Sequence, residues 1–405
     1  MFEDVQPGPK DPMFDLKKLA DNDTSPQKID LGVGVYRNEE GGYHELQAIK
    51  KAKKILDETN PGHDYELTTG NPSFLNNAAT LMFGGNSKTL NAKKIASVQT
   101  ISGTGACHLA ALFLRRCKAF AQSIVYVGTP AWGNYEPLLK LVGFEVRKYT
   151  YYDPQTHVVN FKNLLDTVTN APPKSIFILQ GCCQNPTGAD LSQAQWRTLA
   201  EAMKKALVFP FFDIAYQGLG ASPDNDAYGI QLFAEKGFEM VVCQSFSKNF
   251  GLYGERCGVL HVVTPDEAIC ANVRDQLRSL IRWEFSSSPA YGSRLVNIIL
   301  ENSNLKEEWL KELSAMRNRL VDNRKKLYRS LADVYKTPGS WEALLTTTGL
   351  FCYLPLVKEQ IVKLREMFHI YLPDNGRINV AGLNPTNLGS VASAINEVVR
   401  DASKL

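Results

Sequence analysis

The sequence lacks the features that mark metal-binding, disulfide-stabilised and membrane-spanning proteins. It has only six histidines in 405 residues, and none pairs with another at the spacing of a metal-ligand motif, so we expect no metal. Its eight cysteines include no C-x-x-C pair, which favours unpaired thiols that act as small apolar residues in the core. No apolar stretch approaches the roughly 20 residues that a membrane helix needs, so we expect no membrane partner.

Charge of one sign is not in excess either. The chain carries 45 basic and 42 acidic residues, a formal net charge of +3, so we expect no nucleic acid or other polyanion as a partner. The first residues, MFEDVQPGPKDP, have no basic start, apolar segment or Arg-rich amphipathic pattern of an export or transit signal. We therefore expect a cytoplasmic protein.

Between about residues 95 and 265, short apolar runs alternate with segments of helical periodicity. The runs are SIVYVG (123–128), FEVRKYT (144–150), SIFILQG (175–181), VFPFFDIAY (208–216), MVVCQSF (240–246) and CGVLHVV (257–263). Because they are apolar throughout rather than alternating with polar residues, they indicate strands that are covered on both faces. Strand–helix alternation of this kind predicts an α/β fold with a mostly parallel sheet.

A different pattern begins near residue 302. Large apolar residues recur at helical spacing from Leu305 through Trp309 to Leu331, which predicts one helix of about thirty residues. The segments that follow indicate a smaller α+β domain, which the two short strand signals of residues 28–42 join. The expected parts are an N-terminal arm over residues 1–11, a small domain over 12–44 and 316–405, and a large domain over 45–315.

A strand-like run at 98–101 meets Ser102-Gly103-Thr104-Gly105 and then a helical pattern. Small and hydroxyl residues at a helix N-terminus offer free backbone N–H groups and a favourable dipole, which suit phosphate. A simple N-cap by Ser102 or Thr104 explains the segment equally well. The dinucleotide pattern G-x-G-x-x-G is excluded because His108 stands at its third glycine, and no G-x-x-x-x-G-K-[ST] motif supports nucleotide triphosphates.

Three polar residues follow apolar strands. Asp213 in FFDIAYQG (211–218) is costly to bury as an anion unless a cation or a donor meets it, and a structural ion pair explains it without function. Asn185 precedes a proline, which is a common turn signal. Lys248 follows the run at 240–246, where a lowered amine pKa is plausible, although a solvated surface lysine is the simpler reading.

Together these residues suit pyridoxal 5′-phosphate. This cofactor needs an anchored phosphate, an acidic side chain that keeps its ring nitrogen protonated, and a lysine amine that holds its aldehyde. The phosphate segment, Asp213 and Lys248 supply one of each. Each part alone is weak evidence, and their combination is moderately specific.

The strings SFSKNFGLYGER, SGTGA, NPTG, FFDIAYQG and GRINVAGLN resemble those of the aspartate aminotransferases, class I pyridoxal-phosphate-dependent aminotransferases of fold type I. The resemblance runs from about residue 28 to the C-terminus. It implies a large domain with a mostly parallel seven-stranded sheet between helices, plus the smaller α+β domain. It also implies reversible amino-group transfer between L-aspartate and 2-oxoglutarate, giving oxaloacetate and L-glutamate. The cofactor would alternate between its pyridoxal and pyridoxamine forms in a ping-pong mechanism.

The resemblance assigns roles to individual residues. Lys248 would hold the cofactor and move a proton, and Asp213 would keep the ring nitrogen protonated. Tyr216 and Asn185 would hydrogen-bond the ring oxygen, and Trp132 would stack on the ring. The residues implied to hold the phosphate are Ser102, Gly103, Thr104, Ser245, Arg256 and, from a partner subunit, Tyr65.

The same resemblance implies a homodimer that binds dicarboxylic amino and keto acids. Arg377 would take the α-carboxylate, and Arg282 would reach across the subunit interface to the side-chain carboxylate. A surface salt bridge is the simpler explanation of Arg282. Gly34 and Phe351 resemble positions in a lid that closes over substrate.

Four positions depart from the family pattern. Tyr135 and Gln180 stand where histidines usually support the aspartate, Gln184 replaces another histidine, and Ser287 replaces an asparagine. Our hypothesis is that Asp213 is held less rigidly as a result. Two other functions stay open: an aminotransferase for aromatic or other neutral amino acids, and a catalytically inactive relative kept for binding or regulation.

Overall fold

A computed structural model of the chain describes residues 1–402. Contacts divide these residues into two units. The larger unit contains His44–Arg319 and Thr346–Gly349. The smaller unit contains Met1–Tyr43, Leu320–Leu345 and the described residues from Leu350 onward. The functional domain boundaries given above remain a prediction.

The helices of the described residues, in chain order, are α1 Pro12–Asn22, α2 Gln47–Thr59, α3 Pro72–Phe83, α4 Lys88–Asn91, α5 Ser102–Arg116, α6 Tyr135–Leu141, α7 Phe161–Asn170, α8 Gln193–Ala206, α9 Pro223–Asp226, α10 Tyr228–Glu235, α11 Glu267–Glu284, α12 Ala290–Glu301, α13 Ser303–Tyr328, α14 Ala343–Thr346, α15 Lys358–Phe368 and α16 Leu388–Ala402. Helix α13 continues as a π-helical segment over Arg329–Val334, which agrees with the single long helix predicted there. Within residues 1–402, no helix combines the length and apolar composition that crossing a membrane requires.

The strands are β1 Ile29–Asp30, β2 Ile95–Ile101, β3 Ile124–Thr129, β4 Glu145–Thr150, β5 Tyr152–Asp153, β6 Val158–Val159, β7 Ile176–Gln180, β8 Phe209–Ile214, β9 Met240–Ser245, β10 Cys257–Val263, β11 Phe351–Tyr353, β12 Ile370–Tyr371 and β13 Arg377–Asn379. The six apolar runs of the sequence correspond to β3, β4, β7, β8, β9 and β10. The second strand signal of residues 28–42 forms only an isolated bridge between Arg37 and Tyr43.

The larger unit is built on a seven-stranded sheet in the order β2-β10-β9-β8-β7-β3-β4. Neighbouring strands from β9 to β4 are parallel. Strand β10 is antiparallel to both β9 and β2, so six strands share one direction and β10 opposes them. The predicted α/β fold with a mostly parallel seven-stranded sheet is confirmed.

The sheet is covered on both faces, as its apolar runs predicted. Every residue of β9 and β10 is buried, and burial of each large apolar side chain stabilises the fold by about 1.5–3 kcal/mol. Local signals set the helix starts: Ser192 and Gln195 form a reciprocal capping box at α8. Asn71 caps α3 and is followed by Pro72, a residue that suits the first helical turn.

The smaller unit contains two short pairs of strands and the helices α15 and α16. Strand β1 pairs in parallel with β12, and β11 pairs antiparallel with β13. Asn379, at the end of β13, links this strand to the segment after β1. Its Nδ2 donates to the carbonyls of Val33 and Val35 at 2.6 and 2.7 Å. All eight cysteines of the chain are unpaired in the structure, as expected from their spacing.

Candidate active site

Six strands of the large sheet end at one edge, which we call the carboxyl edge. Their last residues are Ile101, Thr129, Thr150, Gln180, Ile214 and Ser245. Because β10 runs in the opposite direction, it begins at this edge with Cys257. Ligand sites of α/β sheets form beyond the carboxyl ends of the strands. Ten of the predicted site residues lie in or next to these strand ends.

Ser102 and Arg256 form one side of the site. Arg256 Nη2 donates to Ser102 Oγ at 2.6 Å, and the backbone N–H of Ser102 donates to the carbonyl of Arg256 at 2.8 Å. Ser102 also begins the 15-residue helix α5, whose first N–H groups lack partners within the helix. A guanidinium, a hydroxyl and a helix N-terminus together can hold a phosphate.

Gly103 allows α5 to approach strand β9. A Cβ on Gly103 would lie 2.8 Å from Ser245 Cβ, which is too close for any other residue without a shift of the backbone. Ser245 Oγ in turn lies 3.2 Å from Ser247 Oγ. Thr104, the third residue of α5, is partly buried beside them. The hydroxyls of Ser102 and Thr104 therefore lie in the first turn of α5, and Ser245 packs against the same turn at Gly103.

Lys248 and Asp213 bring opposite charges to the same edge. Loss of hydration lowers the pKa of the Lys248 amine to about 8, with Asp213 opposing the change and Arg256 adding to it. Loss of hydration also raises the pKa of the Asp213 carboxyl to about 6, while Tyr135 and Lys248 oppose that rise. Near neutral pH a fraction of the amine is thus neutral and able to act as a nucleophile or a base, while the carboxylate is largely an anion.

Tyr135 contacts Asp213 directly. Its hydroxyl donates to Asp213 Oδ2 at 2.5 Å, and its ring meets Trp132 edge-on with 5.2 Å between the ring centroids. From the sequence alone, Tyr135 is only a departure from the family pattern. The hydrogen bond counts against the hypothesis that this departure leaves Asp213 less rigidly held. The 78-residue separation of the two positions gave no local signal from which the contact could be found.

The two glutamines that replace histidines also make defined contacts. Gln180 both accepts from the backbone N–H of Asn185 at 2.8 Å and donates to its carbonyl at 3.1 Å. Gln184 donates to the carbonyl of Pro130 at 2.7 Å and accepts from the hydroxyl of Thr187 at 2.6 Å. These bonds fix the backbone on either side of Asn185, so its side chain is presented from a rigid turn.

Tyr216 completes this group. Lys248 Nζ lies 5.3 Å from the centroid of the Tyr216 ring, within the range of a cation–π contact. The tyrosine follows β8 and is buried. The structure thus places Lys248 near two other predicted residues, Asp213 and Tyr216.

Two predicted residues, Arg377 and Gly34, belong to the smaller unit. The Arg377 guanidinium lies 4.3 Å from the centroid of the Phe351 ring, and its Nη2 donates to the carbonyl of Gly32 at 2.7 Å. A Cβ on Gly34 would lie 2.9 Å from Phe351 Cζ. The three residues predicted for the lid and substrate pocket are therefore neighbours within this unit.

Two other predicted residues, Tyr65 and Arg282, lie on the exposed surface of the larger unit. Tyr65 is 90% exposed. Arg282, near the end of α11, donates through Nη1 to Ser286 Oγ at 2.5 Å. Ser287, the departure next to it, is partly buried. Both side chains are exposed in one chain, so neither is buried among the residues of the carboxyl edge.

A cluster of three possible metal ligands includes two residues of the loop that follows β7. Ligand atoms of Cys182, Cys183 and Asp226 are within 4.8 Å of one another. The Asp226 carboxylate already accepts the backbone N–H groups of Gly218, Gly220 and Ala221. It therefore has a structural role as the cap of this turn.

The donor set at the carboxyl edge fits pyridoxal phosphate. Arg256, Ser102 and the start of α5 suit a phosphate dianion. The carboxylate of Asp213 suits a protonated ring nitrogen, and the amine of Lys248 suits an aldehyde. Both charged groups lie in the same unit as the phosphate residues.

Known proteins are similar to this chain in sequence and fold over nearly their whole length. Residues 26–395 match the family described as aminotransferase class I and II. The chain is 44% identical to aminotransferase tasG of Hapsidospora irregularis, over 98% of this chain and 96% of that protein. It is 40% identical to the mitochondrial aspartate aminotransferase of Dictyostelium discoideum, over 99% of this chain and 93% of that protein.

A solved structure is similar as well. The crystal structure of an aromatic-amino-acid aminotransferase from Burkholderia pseudomallei, covalently bound to pyridoxal phosphate, has a TM-score of 0.96 and 37% identity, covering 98% of this chain and 99% of that chain. The chain therefore belongs to the class I and II aminotransferase family and is a pyridoxal-phosphate-dependent transaminase.

Proposed function

We propose that the protein transfers amino groups reversibly between L-aspartate and 2-oxoglutarate, giving oxaloacetate and L-glutamate in two ping-pong half-reactions. The observation that carries the proposal is the pair Lys248 and Asp213 beside the Ser102–Arg256 cradle. Their shifted pKa values, about 8 and about 6, give a base and an anion at the same pH. Relatives named aspartate aminotransferases support the choice of substrate.

When bound, the cofactor acidifies the substrate's Cα–H by withdrawing electrons into its ring. Lys248 would be the base that takes this proton and returns it to the carbon of the cofactor's former aldehyde, two bonds from Cα, because its neutral amine is held at the carboxyl edge. Asp213 holds the ring nitrogen protonated by offering a carboxylate. Tyr216 and Asn185 would hold the cofactor's ring oxygen, and Trp132 would help to hold its ring.

The two substrate carboxylates are assigned to two arginines. Arg377 binds the α-carboxylate as a bidentate pair, which its planar guanidinium favours. The contact with Phe351 and the bond to the Gly32 carbonyl hold that guanidinium in one orientation. Arg282 of a second copy binds the side-chain carboxylate, and its exposed position near the end of α11 supports a role across an interface.

This assignment requires a homodimer in which Tyr65 of the second copy joins the phosphate residues. The 90% exposure of Tyr65 within one chain supports that role. We also propose that the partners are small dicarboxylic amino and keto acids only, and that the protein is cytoplasmic. The mitochondrial location named for one relative makes the compartment a separate question.

Transamination of aromatic amino acids is a second candidate. It is favoured by the similarity to an aromatic-amino-acid aminotransferase at a TM-score of 0.96. The two candidates differ at one end of the substrate only, because both classes carry an α-carboxylate for Arg377. Arg282 decides between them: a side-chain carboxylate needs its charge, whereas an aromatic ring does not.

The first experiment is an absorbance spectrum of the purified holoenzyme before and after addition of L-aspartate without a keto acid. We expect the band of the lysine-bound cofactor to give way to that of its amino form, and 2-oxoglutarate to restore the first band. A holoenzyme that responds to phenylalanine but not to aspartate would favour the second candidate. A protein that binds no added cofactor would instead support a binding or regulatory role.

The matched variants are Arg282→Ala and Arg278→Ala, both exposed on α11. We expect Arg282→Ala to lower kcat/KM for aspartate by about 10- to 100-fold, because loss of a charged hydrogen-bond pair costs about 1.5–3 kcal/mol, and to leave kcat/KM for phenylalanine unaffected. Arg278→Ala should change neither. Equal losses for both substrates in Arg282→Ala would contradict the assignment.

A further inference from the structure

Tyr135 and Asp213 meet in the larger unit although they lie on different elements. Tyr135 is the first residue of α6 and is 2% exposed. Asp213 is the fifth residue of the six-residue strand β8. The 2.5 Å bond between the phenol oxygen and Asp213 Oδ2 is at the short end of the range for hydroxyl donors to ionised acceptors.

Other titratable groups face Asp213 from the neighbouring elements. Lys248 approaches from the loop after β9. Cys243 is paired with Asp213 in the register of the sheet. Its thiol and that of Cys107 in α5 both interact electrostatically with the Asp213 carboxylate, and they hydrogen-bond to each other. The hydrogen bond with Cys243, burial and the carboxylate raise the pKa of the Cys107 thiol. Burial and the carboxylate raise the pKa of the Cys243 thiol, which Cys107 opposes, so both thiols are neutral. Among residues 1–402, Tyr135 is the one hydrogen-bond donor to this carboxylate.

We propose that Tyr135 is a positioning residue of the transaminase, which acts through Asp213 by holding its carboxylate as an anion toward the cofactor's ring nitrogen. The inference rests on the role proposed above for Asp213. It assigns to a neutral phenol a task that in the family pattern falls to a histidine.

The physical reason is the balance of charges around Asp213. Burial raises the pKa of the Asp213 carboxyl to about 6, and the Tyr135 hydroxyl opposes that rise. The pKa of the phenol itself is raised well above its usual value by burial and by Asp213, so Tyr135 stays protonated and remains a donor at every pH where the protein works. Without this donor, the carboxyl gains a proton at higher pH and ceases to be the anion that a protonated ring nitrogen requires.

The test measures binding of the amino form of the cofactor, pyridoxamine 5′-phosphate, as a function of pH. This form makes no covalent bond with Lys248, so titration of the lysine does not enter through bond formation. Affinity is measured by calorimetry between pH 5 and 9 on wild type, Tyr135→Phe and a control, Tyr149→Phe. Tyr149 is also buried and lines the same cavity of about 20 Å³ as Tyr135.

We expect wild-type affinity to fall on acidification through about pH 6, where Asp213 is protonated. The phosphate of the ligand also titrates near pH 6, but it does so equally for every variant and cancels when the profiles are compared. In Tyr135→Phe the fall should begin about one to two pH units higher, the equivalent of losing one charged hydrogen bond. Affinity at pH 6 should then be about 5- to 50-fold below wild type, and affinity at pH 9 about equal to it. Tyr149→Phe should follow wild type throughout.

A third variant, Tyr135→His, restores an N–H donor. Its loss of cofactor affinity on acidification should therefore occur at a lower pH than in Tyr135→Phe. Thermal unfolding of each apoprotein checks that the variants fold, and Tyr135→Leu, which also lacks a donor, replaces Tyr135→Phe if the latter does not. A Tyr135→Phe profile that coincides with wild type, or a Tyr149→Phe profile shifted by the same amount, overturns the inference. Wild type that binds no cofactor form at any pH overturns the proposed function instead, and the inference with it.

Discussion

Arg256 and Ser102 are joined by two hydrogen bonds although 154 residues separate them: Nη2 to Oγ at 2.6 Å and, in the backbone, N–H to carbonyl at 2.8 Å. Both residues adopt left-handed backbone conformations, with φ of +51° and +64°. Such conformations are uncommon outside glycine and concentrate at functional sites. The reversed direction of β10 makes the pairing possible, because it brings the start of one strand to the end of another.

Replacement of Arg256 by Gln should weaken binding of the cofactor's phosphate. Loss of a charged hydrogen-bond donor costs about 1.5–3 kcal/mol, or about 10- to 100-fold in affinity. We expect the dissociation constant of pyridoxal phosphate to rise by this factor. That of pyridoxal, which lacks the phosphate, should change by less than about threefold, as measured on the apoenzyme by absorbance titration.

The control for this substitution is Arg278→Gln, an exposed arginine whose partner is Asp275. It should leave both dissociation constants unchanged. If Arg256→Gln weakens pyridoxal and pyridoxal phosphate equally, the arginine does not recognise the phosphate.

Gly103 should be intolerant of a methyl group. A Cβ there would lie 2.8 Å from Ser245 Cβ, and overpacking of this kind costs about 1–3 kcal/mol. That cost exceeds the roughly 1 kcal/mol gained in helix propensity from Gly to Ala. Gly103→Ala should therefore lower the thermal midpoint of the apoprotein and weaken cofactor binding, because α5 must move away from β9.

A matched substitution is available in the smaller unit. Gly389 is the second residue of α16, as Gly103 is of α5, and a Cβ on it would meet nothing within 4 Å. Gly389→Ala should leave stability unchanged or raise it slightly. A Gly103→Ala protein with unchanged thermal midpoint and cofactor affinity would contradict this prediction. It would show that Ser245 can move away from the added methyl group without loss of stability.

The sequence predicted the strands of the large sheet because each is a short apolar run bounded by turn residues. The direction of β10 could not be predicted, since CGVLHVV is as apolar as the parallel strands beside it and buried equally on both faces. Strand direction depends on the connection before the strand. Here the segment carrying Lys248 and Arg256 links β9 to β10 without an intervening helix.

The site was predicted in part. Lys248, Asp213 and the Ser102 segment stand at strand ends, where polar residues after apolar runs are visible in the sequence. The Tyr135–Asp213 bond was not visible, because it joins the first turn of α6 to β8 across 78 positions. The roles proposed for Tyr65 and Arg282 depend on a second copy of the chain, which one sequence does not describe.

Replacement of Arg377 by Lys should raise KM for every amino-acid substrate. A lysine keeps the charge but loses the planar fork that fits a carboxylate and stacks on Phe351. We expect an increase of about 10- to 100-fold in KM for aspartate and phenylalanine alike, from loss of about 1.5–3 kcal/mol, and an unchanged dissociation constant for the cofactor.

The control is Arg365→Lys on α15, whose partner is Asp374 at 3.6 Å; steady-state kinetics should not distinguish it from wild type. An Arg377→Lys protein impaired with aspartate but not with phenylalanine would place Arg377 at the side-chain carboxylate rather than the α-carboxylate.

The charges around Lys248 should be visible in the pH dependence of its reaction with an aldehyde. Only the neutral amine attacks, so the rate of association of apoenzyme with pyridoxal should rise with pH and reach half its maximum at about pH 8, the pKa of the amine. Pyridoxal is preferred because it has no phosphate whose own ionisation would enter. Stopped-flow absorbance between pH 6 and 11 measures the profile.

Two variants should move this midpoint in opposite directions. The Asp213 anion stabilises the protonated amine and raises its pKa, whereas Arg256 lowers it. Asp213→Asn should therefore shift the midpoint below 8, and Arg256→Gln should shift it above 8. A wild-type midpoint near 10.5, the ordinary value for lysine, would mean that water reaches the amine freely. Shifts in the same direction for both variants would mean that a change in packing, rather than the two opposite charges, governs the amine.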